Sequence, residues 1–141
     1  MKKVILKMFL YLLGIFIVFQ FFPYGRDHTN PEVTAEPIWD SQTTRDLAVR
    51  ACFDCHSNET VWPWYSNIAP ISWQVYQDVV NGRHELNFSE YGEHKIDIEE
   101  IIDEIRDGYM PLPIYLPMHP EARLTDAERA QLIEGLKNTL P

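Results

Sequence analysis

The chain opens on its longest apolar run. In "MKKVILKMFLYLLGIFIVFQFF" every residue from Met8 to Phe19 is apolar, preceded by Lys2, Lys3 and Lys7. Counted from Val4, the run offers 19 residues broken chiefly by Lys7, close to the ~20 a spanning helix needs, and a lysine near one end can snorkel to the headgroups. The pattern predicts a transmembrane anchor over residues 1–22. No small-x-small cleavage pattern follows it, so it reads as retained and not as a signal peptide. The lysines all lie at its N-terminal end, which predicts that end in the cytoplasm and the rest of the chain in the periplasm, as in a single-pass protein of a bacterial inner membrane.

Beyond it, residues 23–40, "PYGRDHTNPEVTAEPIWD", show little periodicity and read as a flexible tether. Helical patterning then takes over for residues 41–141. "SQTTRDLAVRACFDCHS" reads as one helix, with Asp40 or Ser41 as its N-cap. In "APISWQVYQDVVNGR" Ile71, Val75 and Val79 recur every four residues, and Gly82 offers a stop. After the loop "NFSEYGEHK", the segment "IDIEEIIDEIRDG" places Ile98, Ile101, Ile102 and Ile105 on one face and ends at Gly108. "YMPLPIYLPMHPEAR" holds four of the ten prolines and has no period. The last helix, in "LTDAERAQLIEGLKNTL", has Thr125 as N-cap, Glu128 at the capping-box position, and Ala130, Leu132, Ile133 and Leu136 facing inward. No strand pattern competes. The expected fold is a small all-α domain of about four helices with long proline-rich loops, preceded by one N-terminal transmembrane helix.

Such a domain has a thin core and calls for a staple, which a large apolar cofactor would supply. The charge is −9. Three of the 12 Lys and Arg residues and none of the 21 Asp and Glu fall within residues 1–25, so the remainder is strongly acidic. Nucleic acid is thereby excluded as a partner.

Both cysteines fall in "RACFDCHSNETVWPWYS". Cys52 and Cys55 stand at i and i+3, one helical turn apart on one face, with His56 directly behind. Covalent haem needs two thiols for its vinyl groups and an axial nitrogen for its iron, and C-x-x-C-H supplies them. Zinc wants a second ligand pair, whereas His28, His84, His94 and His119 are scattered. A redox dithiol expects strands, and a plain disulfide would close too small a loop to constrain anything. Haem fits best; zinc and the dithiol are the competitors.

The runs "CFDCHSNETVWPWYSNIAPISW", "GRHELNFSEY" and "MPLPIYLPMHPEARLTDAE" resemble the bacterial haem-binding-domain family of c-type cytochrome proteins over roughly residues 40–140. The resemblance implies one haem c, covalent through Cys52 and Cys55, in a cytochrome c-like helical domain, commonly tethered to a membrane.

The sixth iron position falls to Met110, whose "GYMPLP" setting resembles the Met-Pro loop of mono-haem cytochromes c; Met118 and His119 are its rivals. Trp62, Trp64, Tyr65, Trp73 and Tyr115 are candidate pocket walls or plain core aromatics, and the acidic face Glu99, Glu100, Asp103, Glu104 and Asp107 is a solvated surface or a dock for a basic partner. With His56 and Met110 on iron, the expected protein is no enzyme. It is an electron carrier between redox partners such as membrane respiratory complexes. A sensor or peroxidase-like protein with an open sixth position, and a fixed haem subunit of a larger membrane complex, are the alternatives.

Overall fold

The computed structural model describes residues 1–92 and 96–140; His94 and part of the expected loop over 87–95 lie outside them. Among these residues six α-helices follow one another: α1 Lys2–Phe19, α2 Gln42–Ala51, α3 Phe53–His56, α4 Ile71–Glu85, α5 Ile98–Asp107 and α6 Asp126–Thr139, with 3-10 turns at Trp64–Asn67 and Pro120–Ala122. Among the described residues there is no strand, only an isolated parallel bridge between Ala35 and Glu90. The all-helical expectation holds.

The anchor does not. Helix α1 has 18 residues and includes Lys2, Lys3 and Lys7, and no helix among the described residues is long and apolar enough to cross a membrane. The expected transmembrane helix, and the inner-membrane, periplasm-facing placement built on it, are therefore corrected. Eighteen residues rise about 27 Å, short of the ~30 Å hydrocarbon core, and the lysines take up one end. The helix stops because the domain captures its last turn. Gln20 Nε2 donates to the Ala69 carbonyl at 2.8 Å and its Oε1 accepts from the Ala69 amide at 3.1 Å. Arg26 donates to the Gln20 carbonyl at 2.9 Å, and Phe19 packs on Trp73 at 5.2 Å between centroids.

Residues 23–40, expected as a tether, lie along the domain and exchange hydrogen bonds with it. Asn30 donates to the Thr60 carbonyl, His28 stacks on Trp62 at 4.5 Å, and Asn58 donates to the Glu32 carbonyl. The Thr34 and Ala35 amides both donate to the Ser89 carbonyl. Glu36 takes a two-pronged bond from Arg45, at 2.9 and 2.8 Å, and a third from the Trp39 indole. That guanidinium holds the Glu36 carboxyl below the usual carboxylate range.

Helix ends follow local chemistry. Ser41 caps α2 by accepting from the Thr44 amide; Asp97 does the same for α5; Thr125 and Glu128 close a capping box on α6. Gly108, at φ 79°, ends α5 in the left-handed conformation glycine adopts freely. The core lies where α2, α3, α5 and α6 meet the segment after α4. Leu47, Ala48, Ala51, Phe53, Phe88, Ile105, Leu132 and Leu136 are its buried members, and Phe53 stacks on Phe88 at 5.4 Å. Each large apolar side chain buried this way contributes about 1.5–3 kcal/mol. Ala130 departs from expectation and is exposed. One position earlier, Arg129 reaches from α6 to the Ile105 carbonyl.

Candidate haem site

The expected single helix over 41–57 breaks at Cys52, whose φ of −125° ends α2 and starts α3. The break leaves Phe53 in the core and turns Cys52, Cys55 and His56 to the other side. Cys52, Cys55, His56 and Met110 line one cavity of about 270 Å³, together with Gly82 and Glu85 of α4 and Leu112 and Tyr115 of the proline-rich loop. Two further cavities adjoin it: one of about 370 Å³ extends past Cys55 and Asp54 toward Trp64, Tyr65 and Ile114, and one of about 400 Å³ extends past Cys52 and His56 toward Glu100, Ile101 and Met110. The three share wall residues, and each is close to or within the ~300–1,000 Å³ of a ligand cleft.

Both cysteines are free thiols. Burial pushes each up to about 12, with the neighbouring Cys55 adding to it at Cys52, and Asp78 and Asp54 adding to it at Cys55. Thiols this high are protonated at neutral pH, the reverse of the lowered value that poises a redox dithiol. Among the described residues no three His, Cys, Asp or Glu side chains converge to hold a metal ion, so a zinc site lacks its ligand set. The donor set does fit haem: two thiols on one face, an adjacent imidazole, a thioether across the cleft wall, and mostly apolar surroundings.

His56 is set for one task. Its Nδ1 lies 3.1 Å from the Leu86 carbonyl, which can only accept, so Nδ1 carries the proton and Nε2 keeps a free lone pair. That is the arrangement by which an imidazole metal ligand is oriented. Burial lowers its pKa and keeps the ring neutral.

Met110 is half-buried and placed by the stop of α5, since the Tyr109 and Met110 amides both donate to the Glu104 carbonyl at 3.0 Å. Its rivals stand elsewhere. Met118 is 56% exposed at the far end of the Trp64 cavity. His119 has both ring nitrogens engaged, Nε2 with the Tyr65 hydroxyl at 2.6 Å and Nδ1 with Glu121 at 3.2 Å, and its ring stacks on Tyr115 at 3.9 Å. His84 is exposed beside Glu85.

The expected aromatic wall divides. Trp64, Tyr65 and Tyr115 line the cleft, whereas Trp62 stacks on His28 and Trp73 packs, tilted, against Phe19. Ile71, Val75 and Val79, which recur every four residues along α4, also line the cleft. Among the described residues the cavity walls carry the carboxylates of Asp54, Asp78, Glu85, Asp97, Glu100 and Glu104, and no Lys or Arg. Burial raises the Asp78 carboxyl.

Three positioning features have no mark in the spacing of the sequence. Gly82 does not stop α4, which runs on to Glu85. It lets that helix approach Cys55, because a Cβ there would stand 2.6 Å from the Cys55 carbonyl oxygen. Arg83, next in line, donates to the Ser57 carbonyl at 2.8 Å and to Asn30 and Thr60, both at 2.9 Å. Asp54, inside C-x-x-C, accepts from the Val61 amide at 2.9 Å and from the Tyr115 hydroxyl at 2.6 Å.

No characterised protein and no solved structure matches the chain. A family model does: the one described as haem-binding domain matches residues 14–138. That span contains the cysteine pair, the histidine, the methionine loop and the cleft they share, and the chain belongs to the haem-binding domain family.

Proposed function

We propose that this haem protein is a mono-haem c-type cytochrome that carries single electrons between redox proteins, and is not an enzyme. The observation that carries the reading is the meeting of Cys52, Cys55, His56 and Met110 on one cavity, with the His56 Nδ1 tied to Leu86 and Nε2 left to bind. Haem would supply a one-electron iron couple. Cys52 and Cys55 would hold it, each adding its S–H across a vinyl group. His56 and Met110 would both ligate its iron, which would leave no open site for a substrate. The engagement of His119 with Tyr65 and of Tyr115 with Asp54 supports this over a sensor or peroxidase, since both donors such a protein would need are already occupied. The carboxylate-lined walls favour the more positive, oxidised iron, and an acidic surface suits a basic redox partner whose association weakens with salt.

The test is the optical spectrum of the purified chain, reduced, with and without carbon monoxide, followed by the mass of the denatured chain. The reading expects a c-type spectrum that carbon monoxide changes only slowly, and a mass raised by one haem. A prompt spectral change would point to an open sixth position, and an unchanged mass would remove the covalent attachment.

A further inference from the structure

The loop that carries Met110 is held by little. Residues 111–118 form one wall of the cleft, yet Ile114 and Met118 on it are 73% and 56% exposed. Among the described residues the only hydrogen bond joining 111–118 to the rest of the domain comes from the Tyr115 hydroxyl, which donates to Asp54 Oδ2 at 2.6 Å; the others, Tyr115 amide to Leu112 and Met118 amide to Tyr115, stay within the loop. Its acceptor is a carboxylate between the two cysteines, and Asp54 and Tyr115 line the same cavity as Met110 and His56. Asp54 is itself fixed, because its other oxygen accepts from the Val61 amide at 2.9 Å. Tyr115 is backed by the His119 ring at 3.9 Å, and that ring is held in turn by Tyr65.

We propose that Tyr115 and Asp54 form a latch that holds the 111–118 loop, which follows Met110 directly, closed against the cleft, making Tyr115 a positioning residue for Met110. The hydrogen bond runs from the loop to the C-x-x-C turn, so it fixes the methionine-bearing segment relative to the two cysteines and to His56. A bond to a charged acceptor is stronger than a neutral one, and among the described residues no second hydrogen bond joins 111–118 to the rest of the domain. With the bond gone, the loop keeps only its side-chain packing, and the cleft spends more time open. The inference rests on Met110 as the sixth ligand only for its spectroscopic consequence; the latch itself is a statement about the loop.

The experiment compares the haem-loaded chain with its Tyr115→Phe variant, which keeps the ring stacked on His119 and loses only the hydroxyl. Tyr109→Phe serves as the control, because that ring is 62% exposed. Two quantities are read: the rate at which carbon monoxide binds the reduced protein, and hydrogen exchange of the amides in 111–118. Tyr115→Phe should bind carbon monoxide about tenfold faster or more and exchange faster across the loop, while Tyr109→Phe matches the parent. Equal rates and equal exchange in Tyr115→Phe and parent would overturn the latch and leave the ligand assignment standing. Were the parent itself to bind carbon monoxide at once, the ligand assignment would fail instead. Exchange would then decide the latch alone: faster in Tyr115→Phe upholds it, unchanged overturns it.

Discussion

Replacing Gly82 by alanine tests the close approach of α4 to the cysteine turn. The added Cβ would stand 2.6 Å from the Cys55 carbonyl oxygen and 3.0 Å from both its carbonyl carbon and its Cβ, where ordinary contact begins near 3.4 Å. The obstacle is backbone, so no side chain can swing away. Helix α4 and the turn must part by about 0.8 Å, and overpacking of this kind costs ~1–3 kcal/mol. Against it stands the ~0.5–1 kcal/mol that alanine gains over glycine inside a helix. Taken at mid-range, the net loss is about 1 kcal/mol, or a fall in Tm of roughly 3–5 °C for a domain of this size.

The displacement also reaches His56, the proposed iron ligand. The Leu86 amide donates to the Gly82 carbonyl at 2.9 Å, and the Leu86 carbonyl accepts from His56. Moving Gly82 away from Cys55 therefore moves the group that orients the imidazole. Gly14→Ala is the matched control: it sits in helix α1 with nothing within 4 Å and should be neutral or slightly stabilising. Thermal melts of the three haem-loaded chains, with their optical spectra, are the assay. Should Gly82→Ala melt at or above the parent with an unchanged spectrum, the close-approach argument is refuted.

The other predictions concern charge, the clamp and the attachment. Glu128 accepts from the Thr125 amide and from Arg50, which together lower its carboxyl from 4.5 to about 2. Its stabilising effect is thus fully present above pH 4.5 and lost as the pH falls toward 2. Glu128→Gln should flatten that acid limb in denaturant melts, and an unaltered limb would sink the assignment. Arg83→Ala removes three hydrogen bonds and leaves the Ser57 carbonyl unpaired, at a cost of about 1–3 kcal/mol in urea unfolding; a smaller change than from any exposed arginine would count against it. Replacing both cysteines by serine should give a chain whose haem separates on denaturation, read as a mass equal to that of the bare polypeptide, whereas retained mass would show attachment elsewhere.

The features legible in the sequence are those a few neighbouring residues decide. Ser41, Asp97, Gly108 and the Thr125–Glu128 box mark helix ends because a cap is satisfied within three or four residues. C-x-x-C-H is readable for the same reason, since one helical turn sets the spacing of its thiols. Where a partner lies far along the chain, local pattern misleads. The apolar run continues past Phe19, but α1 ends there because the Gln20 amide pairs with Ala69, 49 residues on. "PEVTAEP" has no period, and period reports only regular elements. An extended strip that borrows its hydrogen bonds from Asn58, Arg45 and Ser89 leaves no such trace. Ile71, Val75 and Val79 do form a stripe, and the pattern says only that something apolar should cover it; in this fold that face lines the cleft, with Val79 buried behind it. Gly82 shows the limit most plainly. Read locally, a glycine near a helix end is a stop, yet its reason here is the carbonyl of Cys55, 27 positions back, which no window on α4 contains. The residues proposed to bind were therefore visible from chemistry alone, while those that position them become visible only when the chain is folded.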